Sequence, residues 1–264
     1  RFHARDPKIK VDLHKMTEGR QDATIMVAYL EQKERTDEAL LAATAKADRL
    51  LNEIEEMVAM NCTAVDIAYS PNDLYRLKRE GKKAIMLGIE NGYAIGKDLS
   101  RVAHFRKRGV VYMTLCHNGN NDICGSARYN EENLGVTPFG EQVIQEMNRL
   151  GMMVDLSHSG ERTFYETLDI SSQPVVCSHS SSRALCDHPR NLTDEQFRAI
   201  ARKGGVVQVC LYSGFLRKER PAHILDAIEH LNHMVNVMGI EHVGIGSDFD
   251  GDGGIIGCND SSEI

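Results

Sequence analysis

Short, continuous runs of apolar and β-branched residues recur along the chain, and they constrain its fold more than any other feature. Runs of this kind, without a polar residue at every second position, are typical of parallel strands that are covered by helices on both faces. We predict seven such strands, at ATIMVAYL (23–30), KAIMLGIE (83–90), VVYMTL (110–115), MMVDLS (152–157), PVVCS (174–178), GVVQVCL (205–211) and HVGIGS (242–247).

The segments between these runs carry helical signals. In residues 37–60, apolar side chains repeat every three or four positions, which is the spacing of one helix face. Ser70, which is followed by proline, predicts the N-cap of a second helix, and Thr193 with Gln196 has the spacing of a capping box. A short helix is expected to begin near Asp12. Strands and helices therefore alternate along the chain.

Alternating strands and helices predict an α/β protein with right-handed crossovers, either a doubly wound sheet or a (β/α)8 barrel of the TIM type. The 264 residues are enough for one barrel, so we expect a single domain over residues 1–264. A barrel needs eight strands, whereas residues 1–22 contain no strand-like run of sufficient length. We therefore expect the first strand to lie before residue 1, so that the covered chain is truncated at its start.

Composition argues against two classes of partner. The formal net charge is −7 and no run of lysine or arginine is present, so nucleic acid is not expected as a partner. No apolar stretch approaches the roughly 18 residues that cross a bilayer, so no membrane association is expected. Seven scattered cysteines without a Cys-x-x-Cys pair are typical of reduced thiols, which favours a cytoplasmic location.

Polar side chains stand just after five of the predicted strands. In both α/β architectures the functional groups collect at the carboxyl ends of the strands. Imidazoles and a carboxylate that converge there are suitable ligands for a zinc-type ion, and a remaining acid is suited to proton transfer. The five residues are Glu90, His117, His158, His179 and Asp248.

Two of these histidines have the same local sequence. His158 and His179 each stand in Ser-His-Ser on successive strands, so we expect both rings to bind one ion together with Glu90. Cys116 precedes His117 directly, which is a pattern also found for a thiol nucleophile and its base. Neighbours on a strand point to opposite faces, however, so this second interpretation is not favoured.

The segments GIENG, YMTLCHN, MMVDLSHSG, PVVCSHSSSRALCDHPRN and HVGIGSDFDG resemble, in this order, signature segments of the renal-type (membrane) dipeptidases of the amidohydrolase superfamily. The resemblance extends from about residue 11 to the end of the chain and is to a soluble member of bacterial type. It implies a (β/α)8 barrel with two zinc ions that hydrolyses dipeptides, including those with a C-terminal D-residue, by a metal-bridging hydroxide. It also implies a homodimer, and a closing helix after Ile264, so that truncation is expected at both ends.

The resemblance implies a metal role for three residues. Glu90 would bridge the two ions, while His158 and His179 would complete the ligands of the second ion. The family's first strand ends in His-x-Asp, which binds the first ion, and this chain contains no His-x-Asp. The absence agrees with a first strand that lies before residue 1. Imidazole and carboxylate ligands also admit manganese or iron.

Three further residues acquire a role toward the substrate from the resemblance. His117 would contact the substrate and its developing oxyanion. Arg190 would pair with the free carboxylate of a dipeptide, because a guanidinium donates two parallel hydrogen bonds to a carboxylate. Asp248 would move a proton from the attacking water to the leaving amine.

Two other functions remain open at this point. The first is another amidohydrolase-type reaction, such as hydrolysis of an N-acyl amino acid, a lactone or a cyclic amide. The second is a non-catalytic metal-binding homologue, which would be favoured if the native chain lacked the ligands of the first ion.

Overall fold

Eight parallel strands form one sheet in the computed structural model, which describes residues 2–264. Every neighbouring pair of strands in this sheet is parallel. The strands are β1 (Ala23–Tyr29), β2 (Val65–Ile67), β3 (Lys83–Glu90), β4 (Val110–Thr114), β5 (Met153–Asp155), β6 (Val176–Cys177), β7 (Val206–Val209) and β8 (Val243–Ile245).

Helices connect the strands. Three short 3₁₀ helices, at Gly92–Ile95, Ile240–His242 and Ser261–Glu263, accompany the α-helices. The α-helices are α1 (Leu13–Glu18), α2 (Asp37–Met60), α3 (Pro71–Arg79), α4 (Ser100–Lys107), α5 (Pro138–Leu150), α6 (Glu161–Ile170), α7 (Asp194–Arg202), α8 (Ser213–Leu216) and α9 (Ile224–Met238).

The order of the strands decides between the two predicted architectures. The path through the sheet is β1-β3-β4-β5-β6-β7-β8, so that chain order is kept across the sheet. A doubly wound sheet would instead reverse its direction at an internal strand. The predicted α/β fold of TIM-barrel type is therefore confirmed. Within residues 2–264, β1 pairs only with β3 and β8 only with β7. The curled sheet is thus open between β1 and β8, which is consistent with a barrel whose first strand lies outside these residues.

The strand β2 was not predicted. All seven predicted strands are present in the sheet, and Val65–Ile67 is an addition to them. It pairs with Lys83–Ile85 at the beginning of β3, whereas β4 pairs with β3 only from Leu87 onward. The segment escapes a search for apolar runs because it has only three residues and the middle one is Asp66.

The predicted helix signals are confirmed. The Thr193 side chain accepts from the backbone of Gln196 in a reciprocal capping box, and Ser70 and Asp12 cap α3 and α1. One face of α2 packs into the core because its apolar residues share that face. The buried residues of α2 are Leu40, Ala43, Ala47, Leu51 and Val58. None of the helices in residues 2–264 combines the length and the apolar character that crossing a lipid bilayer requires.

Asp226 lies in the first turn of helix α9, and its side-chain carboxylate accepts several hydrogen bonds. The Asp226 side chain is 3% exposed and accepts from the backbone N–H of His223 at 2.8 Å. It also pairs with Arg217 at 2.6 Å and with Arg220 at 2.8 Å. The hydrogen bonds from Arg220 and the His223 backbone, which outweigh the effect of burial, lower the pKa of Asp226 below its ordinary range. Asp226 therefore contributes to stability as a carboxylate, through bonds that only the folded chain forms.

We expect Asp226→Asn to lower the free energy of unfolding by about 1–3 kcal/mol at neutral pH, because charge-assisted hydrogen bonds are lost. Since the folded-state pKa lies below the unfolded value of about 3.9, this contribution is present above that value and is lost as the pH falls through the folded-state pKa. The difference between variant and wild type should therefore shrink in acid. Denaturant unfolding at several pH values measures it. Glu229→Gln is the control, since Glu229 pairs with Arg217 from an exposed position. Equal effects of the two substitutions would contradict the prediction.

Candidate metal centre

Four of the five predicted residues meet at the carboxyl ends of adjacent strands. Glu90 is the last residue of β3, and the three histidines follow β4, β5 and β6 by two or three residues. The Oε1 atom of Glu90 lies 3.3 Å from Nε2 of His158, 3.4 Å from Nε2 of His179 and 3.8 Å from Nε2 of His117. The convergence that parallel strand ends predict is therefore present.

These distances suit one ion bound by Glu90, His158 and His179 better than one bound by Glu90, His158 and His117. Two ligands about 2 Å from one tetrahedral ion lie about 3.3 Å apart. The distances from Glu90 to His158 and His179 match this value, and the two histidine nitrogens are 2.9 Å from each other. Glu90, His117 and His158 also place one ligand atom each within 4.8 Å of one another. This second combination is wider, because the His117 nitrogen is the most distant from the carboxylate.

Hydrogen bonds to the outer ring nitrogens indicate which nitrogen of each ring carries the proton. His158 Nδ1 lies 3.2 Å from the Asn118 side-chain oxygen, which can only accept a hydrogen bond. His179 Nδ1 lies 2.8 Å from Oγ of Ser178. With a proton on each Nδ1, both Nε2 atoms present lone pairs to each other and to Glu90. Such a cluster of acceptors is one that a bound cation would satisfy.

The pKa values of the residues in the centre also favour a bound cation. Burial, followed by the charge of Arg190, lowers the pKa values of His158 and His179 well below the ordinary range, so both rings are neutral at pH 7. Burial and the carboxylates of Asp248 and Asp155 raise the pKa of Glu90 to about 8. A buried centre with neutral imidazoles and a disfavoured anionic carboxylate is stabilised when a metal ion supplies the missing positive charge.

Arg190 lies buried beside the centre, in the loop that follows β6. It is 3% exposed, and one of its terminal nitrogens donates to the backbone oxygen of His179 at 3.2 Å. Its guanidinium also stacks over the Phe215 ring at 5.3 Å. The Nε atom has no hydrogen-bond partner among the described residues although it is buried. A buried N–H of this kind is available to a ligand.

Asp248 lies three residues after the end of β8. Burial raises the pKa of Asp248 to about 7, although Arg190 acts in the opposite direction. The buried Cys210 thiol donates to Oδ2 of Asp248 at 3.7 Å. An acid with a pKa near neutrality can both accept and return a proton at physiological pH.

Cys116 is turned away from the centre. Its thiol is buried and donates to the backbone oxygens of Gly125 and His158, at 3.9 and 3.7 Å. Strand alternation places it on the opposite side from the His117 ring. The structure thus gives no support to a thiol nucleophile.

A polar network beneath the centre was not predicted from the residues that follow the strands. Asp155 is fully buried at the end of β5 and binds the hydroxyls of Thr114 and Ser178. Ser157 accepts from the backbone N–H of His179 at 2.9 Å. The sequence feature that could have indicated Asp155 is an acidic residue within the apolar run MMVDLS. A buried carboxylate nearly always has hydrogen-bond or ionic partners, so such a residue predicts a polar network around it.

Comparisons with known proteins identify the family of the chain. The sequence profile of the family described as "Membrane dipeptidase (Peptidase family M19)" matches residues 2–264. An uncharacterized dipeptidase of Schizosaccharomyces pombe is 43% identical over 179 residues, which are 66% of this chain and 43% of that protein. Dipeptidase tcpJ of Claviceps purpurea is 31% identical over 247 residues, or 91% of this chain and 58% of that protein. The chain thus spans about half the length of the curated relatives that it matches.

A solved structure extends the similarity to three dimensions. The probable dipeptidase PvdM from Pseudomonas aeruginosa superposes with a TM-score of 0.93 at 27% sequence identity. The match covers 99% of this chain and 82% of that one.

We expect zinc to raise the unfolding temperature of the chain, because an ion that binds only the folded state stabilises it by about 2.7 kcal/mol at one hundred times its Kd. Glu90→Gln, His158→Ala and His179→Ala should each weaken this effect, whereas His117→Ala should leave the zinc affinity within about threefold of wild type. Calorimetric titration with zinc measures the affinities. His104→Ala, at a surface histidine paired with Asp48, is the control. Loss of zinc with His117→Ala and retention with His179→Ala would instead assign the ion to the wider combination.

Proposed function

The chain belongs to the membrane dipeptidase family (peptidase family M19), and we propose that it hydrolyses the peptide bond of dipeptides at the centre formed by Glu90, His158 and His179. The observation that carries the proposal is the position of this cation site next to the buried guanidinium of Arg190, whose Nε lacks a partner among the described residues. A metal to activate a carbonyl and a receptor for a carboxylate are the two groups that cleavage of a free dipeptide needs.

Zinc is the ion that we propose for this centre, because two imidazoles and a carboxylate are among its usual ligands. When bound, it would polarise the scissile carbonyl and lower the pKa of water. Glu90 lies next to all three histidine rings and would hold both ions if a second zinc ion were bound. Two ions are what the resemblance to the family implies.

Asp248 is proposed to carry the proton. Its pKa of about 7, which burial raises, allows the carboxylate to accept a proton from water and to return it to the leaving amine. His117 is proposed to contact the carbonyl oxygen of the substrate. Burial and Arg190 lower the pKa of His117 to about 4, so its ring is a neutral hydrogen-bond donor at pH 7.

Arg190 is proposed to select the substrate. Its stacking on Phe215 and its bond to the His179 backbone hold the guanidinium at a fixed distance from the metal centre. A carboxylate bound there must be close to the scissile bond, which favours dipeptides over longer chains. An N-acyl amino acid carries a carboxylate in the same relation to its amide bond, so its hydrolysis is the second candidate activity.

The remaining proposals concern the setting of the enzyme. A homodimer follows from the resemblance to the family. A cytoplasmic location is supported by the seven cysteines, all of which are unpaired thiols.

We expect Asp248→Asn to lower kcat for dipeptide hydrolysis by about 10²- to 10⁴-fold with little change in KM, because an amide cannot carry the proton. Steady-state assays with L,L- and L,D-dipeptides and with N-acyl amino acids test both the residue and the reaction. Asp250→Asn, at an exposed position of the same loop, is the control. Wild-type kcat in the Asp248 variant would refute its role. Preference for the N-acyl amino acids would replace the proposed activity with the second candidate.

We expect Arg190→Ala to raise KM for a free dipeptide by about 10- to 150-fold, which corresponds to the loss of a charge-assisted hydrogen bond of about 1.5–3 kcal/mol. The same dipeptide with a C-terminal amide lacks the carboxylate and should be affected much less. Assays of both substrates with both enzymes give the comparison, and Arg198→Ala on the surface of α7 is the control. An equal loss with the two substrates would show that Arg190 does not bind the carboxylate.

A further inference from the structure

We propose that Asp155, acting through the hydroxyl of Ser178, is a positioning residue that fixes the tautomer and the orientation of the His179 ring. This inference rests on the proposed metal centre and adds to it a residue with no direct contact with metal or substrate. Asp155, Ser178 and His179 form one hydrogen-bonded chain, with distances of 2.6 Å from Ser178 Oγ to Asp155 Oδ2 and 2.8 Å from Ser178 Oγ to His179 Nδ1.

The Asp155 carboxylate has a donor at each of its four contacts. Its Oδ1 accepts from the backbone N–H groups of Ser157 and Ser178, at 3.1 and 2.9 Å. Its Oδ2 accepts from the hydroxyls of Thr114 and Ser178, both at 2.6 Å. The side chain is completely buried. An ionised carboxylate is a pure acceptor, so this set of contacts is satisfied without a proton on Asp155.

The protons of the chain can then be assigned in order. The Ser178 hydroxyl has one hydrogen, which goes to the charged and closer oxygen of Asp155. The Ser178 oxygen is left as an acceptor, so Nδ1 of His179 must carry the proton that joins them. Nε2 of His179 consequently keeps its lone pair, and this is the atom that lies 3.4 Å from Glu90.

The same carboxylate also fixes the backbone beneath the ring. Asp155 binds the N–H of Ser178, while the Ser157 hydroxyl binds the N–H of His179 at 2.9 Å. Asp155 further ties the end of β4 to this arrangement through Thr114. Asp155 and the Ser157 hydroxyl therefore hold the ring, its tautomer and the main chain together.

The arrangement matters for metal affinity because a ligating histidine normally donates its second N–H to a carboxylate, a carbonyl or water. Loss of such partners weakens metal binding by about 10- to 100-fold. In this chain a serine hydroxyl stands between the imidazole and the carboxylate. His158, in contrast, meets only the neutral side-chain oxygen of Asn118 at this position.

Ser178→Ala is the direct test, because it removes the hydroxyl and leaves Asp155 and the backbone in place. We expect the zinc affinity of the full chain to fall about 10- to 100-fold in a calorimetric titration. Histidine ¹⁵N NMR of the metal-free chain should show His179 as the Nδ1–H tautomer in wild type and as a mixture in the variant. Ser171→Ala is the matched control, since Ser171 is also buried but binds Asn148 and Gln173 at the end of α6.

Asp155→Asn gives an independent second measurement. An asparagine NH₂ in place of Oδ2 would donate to Ser178, whose hydrogen would then turn to His179 Nδ1 and move the ring proton to Nε2. We expect the Nε2–H tautomer and a loss of zinc affinity at least as large as that of Ser178→Ala.

Two results would overturn the proposal in distinguishable ways. Wild-type zinc affinity and an unchanged tautomer in both the Ser178 and Asp155 variants, with loss of zinc in His179→Ala, would refute the relay and leave the proposed function intact. Wild-type zinc affinity in His179→Ala would refute the proposed centre of Glu90, His158 and His179, and the relay with it.

Discussion

Two histidine nitrogens face each other 2.9 Å apart next to a buried carboxylate oxygen, and the arrangement of the whole strand-end region depends on this contact. It cannot be an ordinary hydrogen bond when the outer nitrogen of each ring carries the proton. The contact arises because β5 and β6 are adjacent and parallel, so that the segments after them, each with Ser-His-Ser, reach the same point. A bound cation would satisfy the lone pairs of both nitrogens and favour the ionised form of Glu90, whose pKa burial raises to about 8.

Three residues of this region adopt left-handed backbone conformations. The φ angles are 91° at Asn91, 70° at His158 and 57° at Asp248. Each such conformation costs roughly 1–3 kcal/mol in a residue other than glycine and persists only when surrounding contacts hold it. The backbone oxygen of His158 accepts from Ala127 at 2.7 Å, and that of Asp248 accepts from Gly253 at 2.7 Å. Hydrogen bonds thus hold the strained backbone after β5 and β8, as expected where side chains must point to a common site.

Much of this architecture was predictable, for identifiable reasons. Continuous apolar runs located seven strands because burial on both faces leaves no polar alternation, whereas Val65–Ile67 is too short to leave such a pattern. The residues at the ends of the strands predicted that Glu90 and the three histidines lie close together, because parallel strands end at one edge of the sheet. The position of Arg190 could not be found in this way. It lies in a long loop after β6, and only the resemblance to the family indicated it. Asp155 was overlooked because its role depends on hydroxyls from two neighbouring strands.

The surroundings of the centre are polarised, and this polarity bears on how a substrate would lie. Burial, followed by the charges of Arg190, Arg128, Lys218 and Arg183, lowers the pKa of His188 to about 4. Asp252 and Asp250 add to the burial that raises the pKa of Asp248, whereas Arg190 lowers it. A free dipeptide carries a carboxylate and an ammonium group at opposite ends. Under the proposed function, the carboxylate of such a dipeptide would be attracted toward Arg190 and its ammonium toward the acidic loop that carries Asp250 and Asp252. A longer peptide would lose one of these attractions, so the charge distribution would favour the same substrates as the proposed role of Arg190.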